Sequence, residues 1–149
     1  MRHVSVGVVV ALFALCAGPG VAMAADSAPD RMIAAINDAR ERAELPPLQA
    51  APQLERSAGA FARWLVGRNT FAHRPGISTS RDYPHSGEAL SMHFSFQARI
   101  GPTLQAWMSS SRHRGLVMTS TMDMVGVGHA RGRVQGRPRT IWVLQVARD

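Results

Sequence analysis

The clearest hydrophobic pattern in the chain lies between residues 52 and 68. Leu54, Ala58, Phe61 and Leu65 recur at alternating steps of four and three residues. This spacing places apolar side chains on one face of an α-helix. The pattern therefore predicts an amphipathic helix over residues 52–68, with its apolar face turned towards a core.

Similar reasoning predicts helices on either side of this segment. Residues 31–44 carry Met32, Ile33 and Ile36 at helical spacing, with Asp30 as a predicted N-cap. Two prolines at 46–47 end that helix, because proline cannot continue one. Residues 102–110 are predicted to form a third helix, and residues 112–118 add a helical turn.

The C-terminal part changes from helical to strand-like character. Residues 122–130 and 140–146 are apolar and partly β-branched, and the Gly- and Pro-containing stretch 132–138 separates them, which predicts an antiparallel hairpin. Residues 88–94 are predicted to be a short extended segment, and residues 67–85 a loop. The strand at 140–146 is apolar on both faces, so we expect it to be central and covered on both sides. These elements predict an α+β fold, a three-layer α-β-α sandwich around a small, mostly antiparallel sheet.

The first 24 residues have the layout of a secretory signal peptide. A basic start precedes an apolar run, and Ala22 and Ala24 supply the small residues before a cleavage site. Cleavage after Ala24 leaves residues 25–149, enough for one domain with one core and without a transmembrane segment. Cys16 is the only cysteine, so the mature protein is predicted to lack disulfides. We expect a secreted or periplasmic monomer.

The formal net charge is +7, and every basic residue is an arginine. Such a charge can attract anionic partners, but the arginines are dispersed along the chain, which favours a general preference for arginine in the sequence over a binding role. The one local group is predicted to lie in solvent at the hairpin tip; its members are Arg131, Arg133, Arg137 and Arg139. Few aromatic residues are available for stacking on bases, and together with the export signal this disfavours nucleic acid as a partner.

Three residues carry the candidate chemistry: His73, Glu88 and His113. Two imidazoles and a carboxylate can bind a divalent metal or move protons near neutral pH. The histidines are too far apart in sequence for a local metal motif, so only tertiary structure can bring them together. Structural alternatives remain for each residue: a capping histidine at 73, a surface glutamate paired with arginine at 88, and a basic turn at 113.

The remaining histidines and the tryptophans are assigned structural roles. His85, His93 and His129 are predicted to be incidental, with His129 facing solvent, and Trp64, Trp107 and Trp142 are predicted core residues. Three serines precede His113, but no Gly-x-Ser-x-Gly motif occurs and no Asp is placed to orient the imidazole, which argues against a serine hydrolase.

The order of short motifs resembles the CAP superfamily of cysteine-rich secretory, antigen 5 and pathogenesis-related 1 proteins, particularly its bacterial single-domain branch. The similar segments are spread over nearly the whole of residues 25–149. They are Ile36-Asn37-Asp38-Ala39-Arg40, Leu45-Pro46-Pro47-Leu48, Leu54 to Ala60, Phe71-Ala72-His73, Ser86-Gly87-Glu88, Trp107 to Arg114, Val125-Gly126-Val127-Gly128 and Ile141-Trp142-Val143. The resemblance implies a cleft lined by His73, Glu88 and His113, in which His73 and His113 can bind a metal such as zinc.

The sequence departs from the family pattern at several positions. Ala89 stands where Asn usually follows the Gly-Glu pair, Ser111-Arg112 replaces Pro-Gly, and no second cleft glutamate is evident after Trp107. The sequence therefore favours a non-catalytic binding module for a lipid or cell-wall fragment. A metal-dependent hydrolase acting on peptide or cell-wall substrates remains the alternative, although a general base is not evident.

Overall fold

The structure, a computed structural model, describes residues 27–73, 75, 83 and 85–148. Four helices and four strands follow one another along the described chain. In order they are α1 (Ala28–Glu41), β1 (Gln49–Ala50), α2 (Pro52–Gly67), β2 (His85–His93), α3 (Ile100–Ser109), α4 (Ser111–Met118), β3 (Met124–Val134) and β4 (Arg137–Arg148). The predicted signal peptide lies outside the described residues, and so do residues 74, 76–82 and 84 of the predicted 67–85 loop.

The strands form one mixed sheet with the order β1-β3-β4-β2. β4 pairs antiparallel with β3 on one side and with β2 on the other, which confirms the prediction that the last strand is central. The hairpin strands are longer than predicted, because pairing continues to Val134 and Arg137 and leaves only a two-residue turn between them. Gln135 and Gly136 both have positive φ in that turn, as type I′ hairpin turns require.

Alternate residues of β4 face opposite helical layers, as the period of a strand requires. Ile141 and Val143 share a core cluster with Phe61 and Leu65 of α2. On the other face, a second cluster joins the sheet to α1, α3 and α4; it includes Trp142, Leu144, Met32, Ile36, Trp107 and Val117. The described chain is therefore the predicted three-layer α-β-α sandwich.

Two glycines of β3 let α2 lie directly on the sheet. A Cβ atom on Gly126 would overlap the backbone of Leu54 and Glu55, and one on Gly128 would overlap the backbone at Ala58 and Gly59. Because the obstructing atoms are backbone, no side chain can be accommodated there without moving the helix. The Gly-x-Gly pattern at 126–128 thus sets the distance between the sheet and α2.

The first helix begins earlier than the sequence predicts. Ser27, not Asp30, is its N-cap, and the two side chains form a reciprocal capping box in which Ser27 Oγ accepts from the Asp30 N–H. The Ser27 N–H in turn donates to the Asp30 carboxylate. Asp30 therefore stabilises this helix terminus from the third helical position rather than from the cap.

The predicted burial of Trp64 and the predicted exposure of Arg139 are both wrong. Trp64 is 47% exposed, because it lies about 100° from Leu65 around α2 and so falls outside the apolar stripe. Arg139 is buried rather than solvated, and its guanidinium lies 3.5 Å from the centre of the Phe94 ring. Trp107 and Trp142 are fully buried, as predicted. In the described residues, no helix is long and apolar enough to cross a membrane.

Candidate functional site

The three candidate residues come from three elements that meet around β2, an edge strand of the sheet. His73 follows the end of α2, Glu88 lies within β2, and His113 lies on α4. On the α4 side, Gly87 packs so closely against Leu116 that a Cβ atom would overlap the leucine side chain. His113 lies one helical turn before Leu116, so this contact brings His113 towards the same part of β2.

His73 and Glu88 are in direct contact. His73 Nδ1 lies 3.0 Å from Glu88 Oε1, with the histidine side chain 51% exposed and the glutamate side chain only 6% exposed. An ionised carboxylate only accepts hydrogen bonds, so Nδ1 of a neutral His73 carries the proton. The lone pair of this imidazole is then on Nε2. A metal-binding histidine is commonly oriented by a carboxylate in this way.

Gln145 is a third member of this hydrogen-bonded group. It lies opposite Glu88 in the pairing of β2 with β4, and its Nε2 donates to Glu88 Oε2 at 3.0 Å. Gln145 is fully buried. Each Glu88 carboxylate oxygen therefore accepts one side-chain hydrogen bond, which fixes the orientation of the carboxylate.

Gln145 is not among the site residues predicted from the sequence. The available signal was a single amide side chain in the strand Thr140-Ile-Trp-Val-Leu-Gln-Val, which is otherwise apolar in its second half. A buried polar side chain needs a hydrogen-bond partner, so an isolated glutamine in a central strand indicates a polar neighbour on the adjacent strand. The identity of that neighbour depends on the register of the sheet.

His113 lies near this group but is not hydrogen-bonded to it in the described structure. Burial, followed by the neighbouring His73 and Arg112, lowers the pKa of His113. Burial is the largest of these causes. A neutral His113 keeps one ring nitrogen available as an acceptor or ligand. Among the described residues, no group of three or more His, Cys, Asp or Glu side chains is arranged to hold a metal ion.

The other histidines lie elsewhere on the sheet. His85 is exposed at the start of β2, and His93 Nε2 lies 2.7 Å from Thr103 Oγ1 of α3. The prediction that His129 faces solvent is wrong. His129 is half-buried, and its ring stacks on Trp142 with 4.7 Å between the ring centres. These contacts are consistent with structural roles for His93 and His129.

Comparison with known proteins identifies the family. The model of the cysteine-rich secretory protein family, CAP, matches residues 33–146, which is more than half of the chain. The chain belongs to the CAP family. The resemblance inferred from the short motifs is thereby confirmed, and the matched region contains all three candidate cleft residues. None of the curated proteins matches the chain.

Solved structures show the same fold at low sequence identity. An extracellular protein with an SCP domain from Bacillus anthracis is 20% identical with a TM-score of 0.67, and the match covers 82% of this chain but 40% of that protein. An outer surface protein from Borrelia burgdorferi is 18% identical with a TM-score of 0.63, covering 79% of this chain and 90% of that one. Venom allergen-like protein 4 from Schistosoma mansoni is 10% identical with a TM-score of 0.63, covering 82% and 88%.

Proposed function

We propose that this CAP domain is an exported, non-catalytic binding module, whose cleft at the β2 edge holds a divalent metal between His73 and His113. The observation that carries the proposal is the His73–Glu88–Gln145 group. In this group a buried carboxylate with two hydrogen bonds holds the Nδ1 atom of a half-exposed imidazole. Such a group presents a ligand-binding nitrogen to solvent without further rearrangement.

The donor set fits a site of two imidazoles rather than three protein ligands. His73 has its Nδ1 engaged by Glu88, which leaves Nε2 as the ligand atom. The lowered pKa of His113 favours the neutral imidazole that metal binding needs. A metal such as zinc, held by two protein ligands, would supply open coordination positions for an anionic or carbonyl group of the bound molecule. A lipid headgroup or a cell-wall fragment offers such groups.

Hydrolysis is the less favoured function of this site. A metal-dependent hydrolase needs a general base that can accept a proton from water. Glu88 is the carboxylate of the candidate site, but it is almost entirely buried and each of its oxygens already accepts a hydrogen bond from another side chain. These contacts favour a role for Glu88 in orienting His73.

Export to the periplasm or the cell exterior is part of the proposal. It rests on the signal-like pattern of residues 1–24. Two structural relatives, an extracellular protein and an outer surface protein, support the same location. When the native host expresses the full-length chain, we expect cell fractionation to find the protein outside the cytoplasm. N-terminal sequencing of the exported protein should begin at Ala25.

Calorimetric titration of the purified protein with zinc tests the metal site. The wild-type protein is expected to bind zinc, and His73→Ala or His113→Ala is expected to abolish measurable binding, since a two-imidazole site cannot retain zinc with one ligand removed. His85→Ala is the matched control, because His85 is an exposed histidine on β2, the strand that carries Glu88. It should leave zinc binding unchanged.

The outcomes separate the proposal from its alternatives. Absence of zinc binding by the wild-type protein, or retention of full affinity by both alanine variants, would contradict the metal site. Binding of anionic lipid vesicles or muropeptides without turnover would support a binding module. Zinc-dependent cleavage of peptide, ester or glycan substrates that His73→Ala abolishes would instead establish the hydrolase.

A further inference from the structure

Two exposed phenylalanines lie in the short bend that follows β2. Phe94 is 66% exposed and Phe96 is 48% exposed, and both belong to the bend at residues 94–97, between β2 and α3. Phenylalanine side chains are more often buried. Large apolar side chains that lie together at the surface, rimmed by polar residues, are typical of an interaction site.

Hydrogen bonds to backbone carbonyls hold this bend against the hairpin of β3 and β4. The Thr140 hydroxyl donates to the Ser95 carbonyl at 2.7 Å, and Arg131 Nη1 donates to the Phe96 carbonyl at 3.3 Å. Within the bend, the Gln97 N–H donates to Ser95 Oγ at 2.9 Å. The two rings are therefore carried by a fixed backbone, so binding through them has a smaller ordering cost.

Two arginines of β4 lie close to the ring of Phe94. The guanidinium carbon of Arg139 is 3.5 Å from the ring centre, and that of Arg137 is 5.8 Å from it. Both distances are within the range of cation–π attraction. Arg139 is buried, and its Nε has no hydrogen-bond partner among the described residues, whereas Arg137 is exposed. Arg139 thus supports the ring from within the protein, and Arg137 stays accessible to a partner.

The pairing of β3 with β4 gathers positive charge around these rings. Residues 89–148 contain eight arginines and a single acidic residue, Asp123. Asp123 immediately precedes β3, at the end of the hairpin away from its turn. Arg131, Arg133 and Arg137 are exposed near the turn, and none of them forms a salt bridge with a described acidic residue. Their charge is therefore available to an anionic partner.

These five exposed residues form what we call the hairpin-end patch: Phe94, Phe96, Arg131, Arg133 and Arg137. The patch lies apart from the proposed metal site. Glu88 and Phe94 are six positions apart along β2 and its exit, which is about 20 Å in an extended strand. An inference about the patch therefore does not rest on the proposed function.

An anionic lipid surface matches this combination of side chains. Phenyl rings gain free energy when they move from water into the boundary between headgroups and acyl chains, and anionic lipids attract the basic residues beside them. Guanidinium groups also form paired hydrogen bonds with phosphates. A soluble polyanion such as polyphosphate could bind the arginines, but it offers no apolar phase for the two rings.

We propose that the hairpin-end patch docks the protein on anionic lipid bilayers. Phe94 and Phe96 enter the headgroup region, and the three exposed arginines bind lipid phosphates. Arg139 keeps the Phe94 ring in place through the cation–π contact. The docking weakens at high salt, because the Debye length falls from about 10 Å at 0.1 M to about 3 Å at 1 M ionic strength.

Co-sedimentation with lipid vesicles tests the docking. The protein without residues 1–24 is used, because the apolar run in that segment would itself bind lipid; all the described helices and strands lie after it. Vesicles of phosphatidylglycerol mixed with phosphatidylcholine are expected to bind the protein at least about tenfold more tightly than vesicles of phosphatidylcholine alone. Equal affinity for the two kinds of vesicle, or no binding to either, would overturn the proposal.

Paired variants separate the role of the rings from that of the charges. Phe94→Ser/Phe96→Ser is expected to weaken binding to the mixed vesicles at least about tenfold. Phe96→Ser alone leaves the contact between Phe94 and Arg139 intact and should give a smaller decrease. Unchanged affinity of the double variant would show that only charge is recognised, and the proposal would then be wrong.

The arginines have a matched control elsewhere on the surface. Arg133→Gln/Arg137→Gln should weaken binding at least about tenfold. Arg42→Gln/Arg56→Gln makes the same change in net charge at exposed arginines outside the patch and should have little effect. An equal loss in both pairs would contradict a defined docking surface. His73→Ala should bind vesicles like the wild-type protein, so a failed metal site and a failed docking surface are distinguishable.

A fluorescent label tests whether the bend enters the lipid. Cys16 is the only cysteine and lies in the removed segment, so Phe96→Cys provides a single attachment point for a polarity-sensitive dye. Mixed vesicles are expected to shift the dye emission to the blue, whereas polyphosphate should not. The same dye at Arg42→Cys should show no shift. Vesicle binding without a blue shift at position 96 would overturn the proposed insertion.

Discussion

Arg40 Nη1 donates a hydrogen bond to the carbonyl of Val117 at 2.7 Å, across 77 residues of sequence. The same nitrogen donates to the Thr119 carbonyl, and Nε donates to Pro46. Arg40 is fully buried, and burial lowers its pKa. One guanidinium thus joins the end of α1 to the segment that follows it and to the end of α4, the helix that carries His113.

Replacing this side chain is expected to destabilise the fold. Arg40→Met keeps similar length and apolar contacts but leaves three carbonyl groups without their donor, and each unsatisfied buried acceptor costs about 1–3 kcal/mol. We expect a loss of about 3 kcal/mol in the free energy of unfolding, measured by urea denaturation. Arg42→Met, at an exposed arginine two positions later, should change stability by less than about 0.5 kcal/mol.

Gln145 is predicted to control the metal site through Glu88. Gln145→Met keeps the side-chain length but removes the donor to Glu88 Oε2. The Glu88 carboxylate is then held only by its hydrogen bond with His73, so it orients His73 less firmly. Loss of such an outer hydrogen bond typically costs about 10–100-fold in metal affinity. We expect that decrease in a calorimetric zinc titration.

The matched variant is Gln145→Glu, which keeps the shape but places a second carboxylate against Glu88. It should perturb the site at least as strongly as Gln145→Met, since two like charges share a buried position. Unchanged zinc affinity in both variants would show that Gln145 has only a structural role.

The contact between Gly87 and Leu116 is predicted to set the position of α4. Gly87→Ala places a methyl group in the space of the Leu116 side chain, and overpacking of this kind costs about 1–3 kcal/mol. The double variant Gly87→Ala/Leu116→Ala should recover part of this loss, because it removes the overlapping atoms. A double-mutant cycle by urea denaturation measures the recovery as a coupling energy, and strictly additive effects would contradict the contact.

Much of the architecture follows from local patterns in the sequence. The stripe from Leu54 to Leu65 identifies α2, and the apolar character of residues 140–146 on both faces identifies the central strand. β1 escapes prediction because two residues are too few to show a strand period. Residue type alone predicts that Trp64 is in the core, but its position on the helix places it beside the apolar face, where it is largely exposed.

The candidate site is less accessible to sequence reasoning, because its contacts depend on register and on helix placement. Glu88 meets Gln145 only because β2 and β4 pair in one particular register, and a shift of one residue would turn Gln145 to the opposite face. Family resemblance supplied His73, Glu88 and His113 as a set. It did not supply the hydrogen-bonded order His73–Glu88–Gln145, which is a tertiary feature.

Acidification is predicted to destabilise the protein through its half-buried histidines. Burial is the largest cause lowering the pKa of His93, His113 and His129 below the ordinary value of 6.5. The unfolded chain therefore binds more protons than the folded chain between the folded and unfolded pKa values. The contribution of these histidines to the free energy of unfolding is fully present above about pH 6.5 and is lost as the pH falls through their folded pKa values.

His129→Phe isolates one of these contributions. A phenyl ring can keep the stack on Trp142 but cannot be protonated, so the variant should lose less stability between pH 7 and pH 5 than the wild-type protein. Urea midpoints measured at several pH values give the comparison, with His85→Phe as the control at an exposed histidine. The same pH dependence in His129→Phe and wild type would show that the His129 ring is not the group whose protonation opposes folding, since linkage requires the slope to fall when such a group is removed.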